Sequence, residues 1–413
     1  MHERASQPLG SQASDISGHG FYGVERVRRR RENITPRTPN ESMHKIERGE
    51  AVSETVTPTS SGSSAQDLAE LGFYTLAGHA DSSRALVDEV RLGESMGFGS
   101  VFISERFDKK EAAVLSGAAG AVSDRITIVT AATNHNTRHP MITAAMARTM
   151  QSLTGGRFVL GLGRGIPLIQ DAYGLGRITT AQLEDFAGLM RRLFAGELIL
   201  NHVGPAGSFP LLYLPNVDEP LPLGLVAFGP KSLDLGGRCF DEVILHTYFT
   251  EATTRRCVAQ VRESAERAGR DPASVRVWSC FATIGDHIDE DLRLKKTVGR
   301  LATYLQGYGD LLVRTNDWDP AVLERFRADE MVASFSGGFD SVATTEQLRH
   351  VATLLPPEWL AQSATGTPEQ CAAAVRAQIE FGCDAVIMHG ATPHELAPVV
   401  TAYRAAFGPG PAN

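Results

Sequence analysis

A chain of 413 residues, 42% hydrophobic and 21% charged, can bury a sizeable core and suits one barrel-sized domain with insertions. Its formal net charge of −8 argues against nucleic acid or a membrane surface as partner, and no apolar run reaches the roughly 18 residues needed to span a bilayer. Five scattered cysteines (Cys239, Cys257, Cys280, Cys371 and Cys383) fall outside any CxxC or Cys/His ligand spacing, which reads as reduced thiols of a cytoplasmic protein.

Residues 1–66 are rich in Ser, Thr, Pro, Arg and Glu and poor in large apolar side chains. Such a segment cannot offset its ordering entropy and is expected to be a disordered tail. Arg26-Val27-Arg28-Arg29-Arg30-Arg31 lies within it, as a solvated arm or a polyanion contact. No apolar stretch follows the arginines, which argues against a secretory or twin-arginine signal, and Met43 is a second candidate start of translation.

From residue 67 to about 410 short β-rich runs alternate with helical patterns. Strands are predicted at 71–76, 100–104, 125–131, 157–163, 223–228, 241–246, 275–281 and 385–388. Helices are predicted at 82–97, 110–122, 140–153, 179–195 and 394–407, the third opened by Pro140 and the fourth capped by Thr179 or Thr180. Strict alternation with apolar, non-alternating strands means a parallel sheet covered by helices. Eight such units argue for an α/β fold closed as a (β/α)8 TIM barrel. Residues 197–222, rich in Gly and Pro, read as an excursion, and residues 286–365 as a helical insertion or lid before the last strand.

A barrel of this kind places its chemistry at the C-terminal ends of the strands. Polar and glycine-rich residues gather there. Ser104-Glu105-Arg106-Phe107 follows the second strand and Thr133-Asn134-His135-Asn136-Thr137-Arg138-His139-Pro140 the third. Gly161, Gly163 and Gly165 alternate after the fourth, either for close approach to a flat ring or anion or for a tight barrel exit. Gly229-Pro230-Lys231-Ser232 after the fifth opens a helix whose N–H groups, hydroxyl and ammonium suit a phosphate, a description that also fits many ordinary helix starts. His135, His246 and His389 stand at strand ends as candidate functional histidines, whereas His139 before Pro140 reads as structural. None of these histidines has a metal-ligand spacing, and neither a GxSxG elbow nor a P-loop is present.

The ordered blocks resemble the luciferase-like monooxygenase superfamily. They are Gly97-Phe98-Gly99-Ser100-Val101-Phe102-Ile103-Ser104-Glu105-Arg106-Phe107, Thr137-Arg138-His139-Pro140 and Gly155-Gly156-Arg157-Phe158-Val159-Leu160-Gly161-Leu162-Gly163-Arg164-Gly165. Phe228-Gly229-Pro230 with Gly236-Gly237-Arg238, and Gly382-Cys383-Asp384-Ala385-Val386, complete the set over about residues 70–405. The glycine-rich third block with Thr-Arg-His-Pro upstream resembles the branch that uses coenzyme F420 more than the FMN branch. The resemblance implies a bacterial-luciferase-like barrel, a homodimer, a small-molecule substrate, and a cis peptide at Ala131–Ala132 behind the deazaflavin. It implies that Thr133 and Asn134 edge the ring, that Gly163, Arg164 and Gly165 lie near the ring or ribityl chain, and that Phe228, Gly229, Lys231 and Ser232 border the phosphate.

One departure stands out. Many relatives carry a carboxylate–His pair after the second strand; here it is Glu105-Arg106. Arginine cannot act as a general acid near neutral pH, so Arg106 becomes a candidate for binding an anionic substrate or cofactor group. Glu105, with His135, becomes the candidate proton carrier, and His246 a second substrate contact; a plain Glu105–Arg106 ion pair is the alternative. The functional expectation is an F420-dependent oxidoreductase that transfers a hydride between the deazaflavin C5 and a small organic substrate. An FMN-dependent monooxygenase and a non-catalytic cofactor-binding protein are the alternatives. A nucleic-acid-tethered enzyme, held through the basic arm, is a further one.

Overall fold

The computed structural model describes residues 68–215 and 220–408. The expected N-terminal tail lies outside the described residues.

Eight parallel strands close into a barrel. Strand β1 (Leu68–Tyr74), helix α1 (Ala85–Ser95), β2 (Phe98–Ile103) and α2 (Ala112–Ala121) come first. Strand β3 (Thr127–Thr130), its short continuation β4 (Thr133–Asn134), α3 (Pro140–Thr154), β5 (Phe158–Gly163), α4 (Pro167–Ala172) and α5 (Thr180–Phe194) follow. An antiparallel hairpin, β6 (Ile199–Gly204) and β7 (Gly207–Leu212), then precedes β8 (Leu223–Val226), α6 (Pro230–Cys239), β9 (Glu242–Ile244), α7 (Glu251–Arg267) and β10 (Arg276–Gly285). The insertion comprises α8 (Glu290–Leu294), a π-helical turn (Lys295–Gly299), α9 (Arg300–Thr315), α10 (Pro320–Ala328), α11 (Glu330–Ser334), α12 (Phe339–Val342), α13 (Thr345–Leu354) and α14 (Pro357–Leu360). Strand β11 (Ala364–Gly366), α15 (Pro368–Glu380), β12 (Ala385–His389) and α16 (Pro393–Phe407) complete the chain. Around the barrel the order is β1, β2, β3, β5, β8, β9, β10, β12 and back to β1.

The apolar runs that read as fully buried strands serve two cores at once. Phe102, Val129, Val159, Ile244, Trp278 and Ile387 point inward and fill the barrel. Their neighbours Val101, Ile103, Ile128, Phe158, Leu160, Val277 and Val386 point outward beneath the helices. Strand alternation therefore persists, but both faces are apolar, so the sequence shows no polar alternation.

Local chemistry places the helix ends. Thr179 caps α5 through a capping box with Gln182, so Thr179 rather than Thr180 is the N-cap. His139 accepts from the Met141 N–H at 3.2 Å and caps α3, the structural use its position suggested. The predicted excursion holds a hairpin that the Gly/Pro content concealed.

The seam between β3 and β5 shapes the mouth. Val129 pairs with Val159 and Thr133 with Leu162, so one extra residue is accommodated on the β3–β4 side. The Ala131–Ala132 peptide within this bulge is cis. Thr130 Oγ1 bridges the interruption, accepting from Gly161 N at 2.8 Å and donating to Gly161 O at 2.9 Å. Gly161 is required here: a Cβ would stand 1.7 Å from the Thr130 carbonyl oxygen.

Candidate active site

A cavity of about 290 Å³ opens at the C-terminal end of the barrel. Its floor is made where the inward-facing rows end, at Ala131, Ile244 and Cys280. One wall carries Arg106 and Lys110 after β2 with Arg300 and Tyr304 from α9. His246 and Thr247 after β9, and His389 at the end of β12, complete the polar lining with Tyr74 and Ser104.

The insertion holds this wall in place. Arg300 forms an ion pair with buried Asp340 at 2.6 Å, and Thr303 donates to the same carboxylate at 3.0 Å. His79 approaches it at 3.3 Å. Burial alone would raise the Asp340 carboxyl; His79, Arg300 and Thr303 outweigh it and hold the group ionised. Tyr304 stacks on Tyr308 with ring centroids 5.3 Å apart, and the backbone is kinked at Tyr308.

Both histidines of the cavity are neutral. His246 lies flat against Phe228 at 4.3 Å. Its Nδ1 stands 2.9 Å from the Thr247 carbonyl, which can only accept, so Nε2 accepts from the Tyr308 hydroxyl at 3.0 Å. Burial lowers its pKa to about 4. His389 is pushed well down by burial first and then by Arg300, His246 and Arg106. Burial raises Tyr74 and Tyr304, leaving both phenols protonated, and raises Cys280 to about 12, so it remains a thiol. His389 Nδ1 and Thr247 Oγ1 are buried without a hydrogen-bond partner among the described residues.

The structure brings Arg106, Ala131 and His246 to one cavity. Glu105 and His135 are not among its lining residues. Glu105 is not paired with Arg106: both its oxygens are taken by Arg138, with Thr133 Oγ1 donating at 2.6 Å and Ala112 N at 3.4 Å. The sequence neighbours diverge because Arg106 turns to the Gly78 carbonyl at 3.2 Å while Glu105 faces the β3–β4 seam. His135 is 6% exposed and stacks on Phe186 of α5 at 5.3 Å, away from the lining, where burial lowers its pKa.

The remaining candidates are not among the cavity's lining residues. Asn134 donates to Gly163 O at 2.8 Å, tying the bulge to β5. A Cβ on Gly163 would come within 2.7 Å of Ala132, and Gly165 adopts φ +68°. Arg164 donates to Thr180, and its buried Nε has no partner among the described residues. Gly229 caps α6 without a side chain, Pro230 follows at the first turn, and Lys231 is exposed beside half-buried Ser232. Lys110, Arg300, Tyr304 and Thr247 were not singled out from sequence. Arg300, Tyr304 and Tyr308 recur every four residues, the spacing of one helix face, and that was their available signal.

A closed parallel barrel with a polar-lined cavity at its C-terminal mouth defines a class of small-molecule enzyme folds. Residues 57–385 match the family described as luciferase-like monooxygenase, and the chain belongs to that family. The chain is 26% identical over 306 residues to the 5,10-methylenetetrahydromethanopterin reductase of Methanolobus tindarius, covering 72% of this chain and 87% of that protein. It is 29% identical over 177 residues to the F420-dependent glucose-6-phosphate dehydrogenase of Intrasporangium calvum, covering 39% and 53% respectively. The structure of the coenzyme F420 dependent tetrahydromethanopterin reductase from Methanopyrus kandleri superposes with a TM-score of 0.67 at 17% identity, covering 82% of this chain and 99% of that one.

Proposed function

We propose that this chain is an F420-dependent oxidoreductase in which a hydride passes between the deazaflavin C5 and a small organic substrate. The observation that carries the reading is the cavity itself. It meets the β3–β4 bulge at Ala131, and two buried polar atoms, His389 Nδ1 and Thr247 Oγ1, lack partners among the described residues. A polar ligand would satisfy both atoms. Relatives named for F420 dependence support the choice of cofactor.

The residues present fit that group. Gly163 leaves the β5 exit low against Ala132, and around Gly229 a Cβ would meet only Leu311 at 3.9 Å. Thr133, Asn134, Gly163, Arg164 and Gly165 would border the ring and its side chain; Phe228, Gly229, Lys231 and Ser232 would border the phosphate at the start of α6. When bound, the deazaflavin supplies the two-electron chemistry. The protein orients the substrate and excludes water. Neutral His389, through Nδ1, and the Tyr74 and Tyr304 phenols are the groups placed to hydrogen-bond a substrate oxygen. Glu105 is a positioning residue, holding Thr133 and Arg138 at the bulge.

The family description favours a second reading, an FMN-dependent monooxygenase on the same barrel. Titration of the full chain with F420 and, separately, FMN, followed by fluorescence anisotropy, separates the two. Selective F420 binding is expected. Preference for FMN, with oxygen consumption, would move the assignment to the monooxygenase branch, and binding of neither would remove the cofactor assignment.

A further inference from the structure

The cavity wall formed by Arg106, Lys110 and Arg300 has no carboxylate on its surface. Arg106 and Lys110 close the short loop after β2 through paired backbone hydrogen bonds of 2.9 and 3.1 Å. Arg300 opens α9. Lys110 is 5% exposed and Arg300 8%, so these are cations withdrawn from water.

Their counter-charges are few. Arg300 has Asp340. Among the described residues Arg106 and Lys110 form no ion pair; their side chains donate to the carbonyls of Gly78 and Leu76. Asp340 and Asp108 act on Arg106, and Glu89 and Asp108 on Lys110, without reaching contact. Glu89 is already engaged by Thr75 Oγ1 at 2.7 Å and Leu76 N at 2.6 Å. Burial first, then Arg106 and Arg300, brings the Lys110 ammonium down to about 7. Buried cations crowded in this way are unfavourable unless an anion joins them.

The cluster is also set apart from the proposed phosphate position. In the eight-strand ring β1 stands opposite β8, and β2 opposite β9. Arg106 and Lys110 follow β2, three strands round the ring from β8, whereas Gly229–Ser232 follow β8 and are not among the cavity's lining residues. The two anion-seeking features therefore follow different strands of the ring and do not share the cavity lining.

We propose that Arg106, Lys110 and Arg300 form an oxyanion-binding subsite, so that the substrates are small organic molecules carrying a carboxylate or phosphate beside the reacting carbon. The reading of the reaction as F420-dependent is what places a reacting carbon in this cavity; the anion site itself stands on the cations. An anion here completes the charge balance of the wall and pulls the Lys110 proton on. It also fixes the substrate by charge-assisted hydrogen bonds while the apolar floor takes its carbon skeleton.

The test is calorimetric titration of the full chain, saturated with F420, with inorganic phosphate and separately with acetate. One anion per chain is expected, the stronger probe indicating which oxyanion the wall prefers. Arg106→Gln and Lys110→Met should each weaken binding about tenfold or more, with F420 affinity unchanged. Above neutral pH, anion binding should take up protons, read as a buffer-dependent heat, and Lys110→Met should abolish that uptake. Circular dichroism checks that each variant folds; half-buried Arg106 is the safer site should Lys110→Met fail. Absence of anion binding, or unchanged binding in Arg106→Gln, overturns the proposal. Parallel loss of anion and F420 binding assigns the cations to the cofactor's own phosphate and also overturns it. A wild type that binds the anions through these cations but no F420 refutes the cofactor reading and leaves the subsite standing.

Discussion

Glu105 and Arg138 show how one pair can organise a mouth without entering it. The Glu105 side chain is 3% exposed and Arg138 14%, and between them they engage Thr133, Glu111 and the start of α2. The pair raises the Arg138 guanidinium further above its ordinary range, with the Glu105 hydrogen bond as the leading cause. Glu105→Gln keeps the shape but leaves a largely buried guanidinium without its full partner. A loss of about 3 kcal/mol is expected in urea denaturation. An unchanged midpoint would mean that solvent already screens the pair. At this scale the sequence marked loops at the barrel mouth but not which side chains pair within them. Arg106 and Glu105 are adjacent in the chain, yet backbone direction sends one to the cavity and the other to the seam. His135 looked equally placed until α5 brought Phe186 over it.

The strands and helices were more legible than the contacts between them. Predicted and observed barrel strands correspond one to one, because apolar runs buried on both faces leave a strong trace. The hairpin β6–β7 was hidden by Pro210 and the surrounding glycines, which two-stranded sheets tolerate because both strands are edges. Strand β10 runs on to Gly285 because β11 pairs with its end, a partner 81 residues away in sequence (Thr283 with Ala364). The β3–β5 seam makes the element-scale prediction. Gly161→Ala puts a methyl group into the Thr130 carbonyl and should cost about 3 kcal/mol or more. Gly188→Ala, on the exposed face of α5 with nothing within 4 Å, should instead stabilise by roughly 0.5–1 kcal/mol. Equal thermal shifts in the two variants would contradict the steric account.

At the scale of the whole molecule, the insertion between β10 and β12 converts a barrel mouth into a walled cavity. Its α9 delivers Arg300 and Tyr304, and α12 delivers Asp340 to anchor them. The family resemblance implies a homodimer, and the hairpin leaves Leu200, Val203 and Leu211 60%, 81% and 58% exposed. Sedimentation equilibrium should therefore return twice the mass of one chain; a single-chain mass across the concentration range would refute the dimer. Among the described residues no helix is long and apolar enough to cross a membrane.

The sequence by itself determined the repeating β/α order, the closure into a barrel and the loops that surround the mouth. These follow from periodicity and burial, which are local and repeat along the chain. Only the tertiary structure decided which charges meet. Asp340 finds Arg300 and His79, Glu105 finds Arg138, and Arg106 and Lys110 are left facing the cavity. Pairing of this kind depends on distances between segments far apart in the chain, and local pattern carries no record of them.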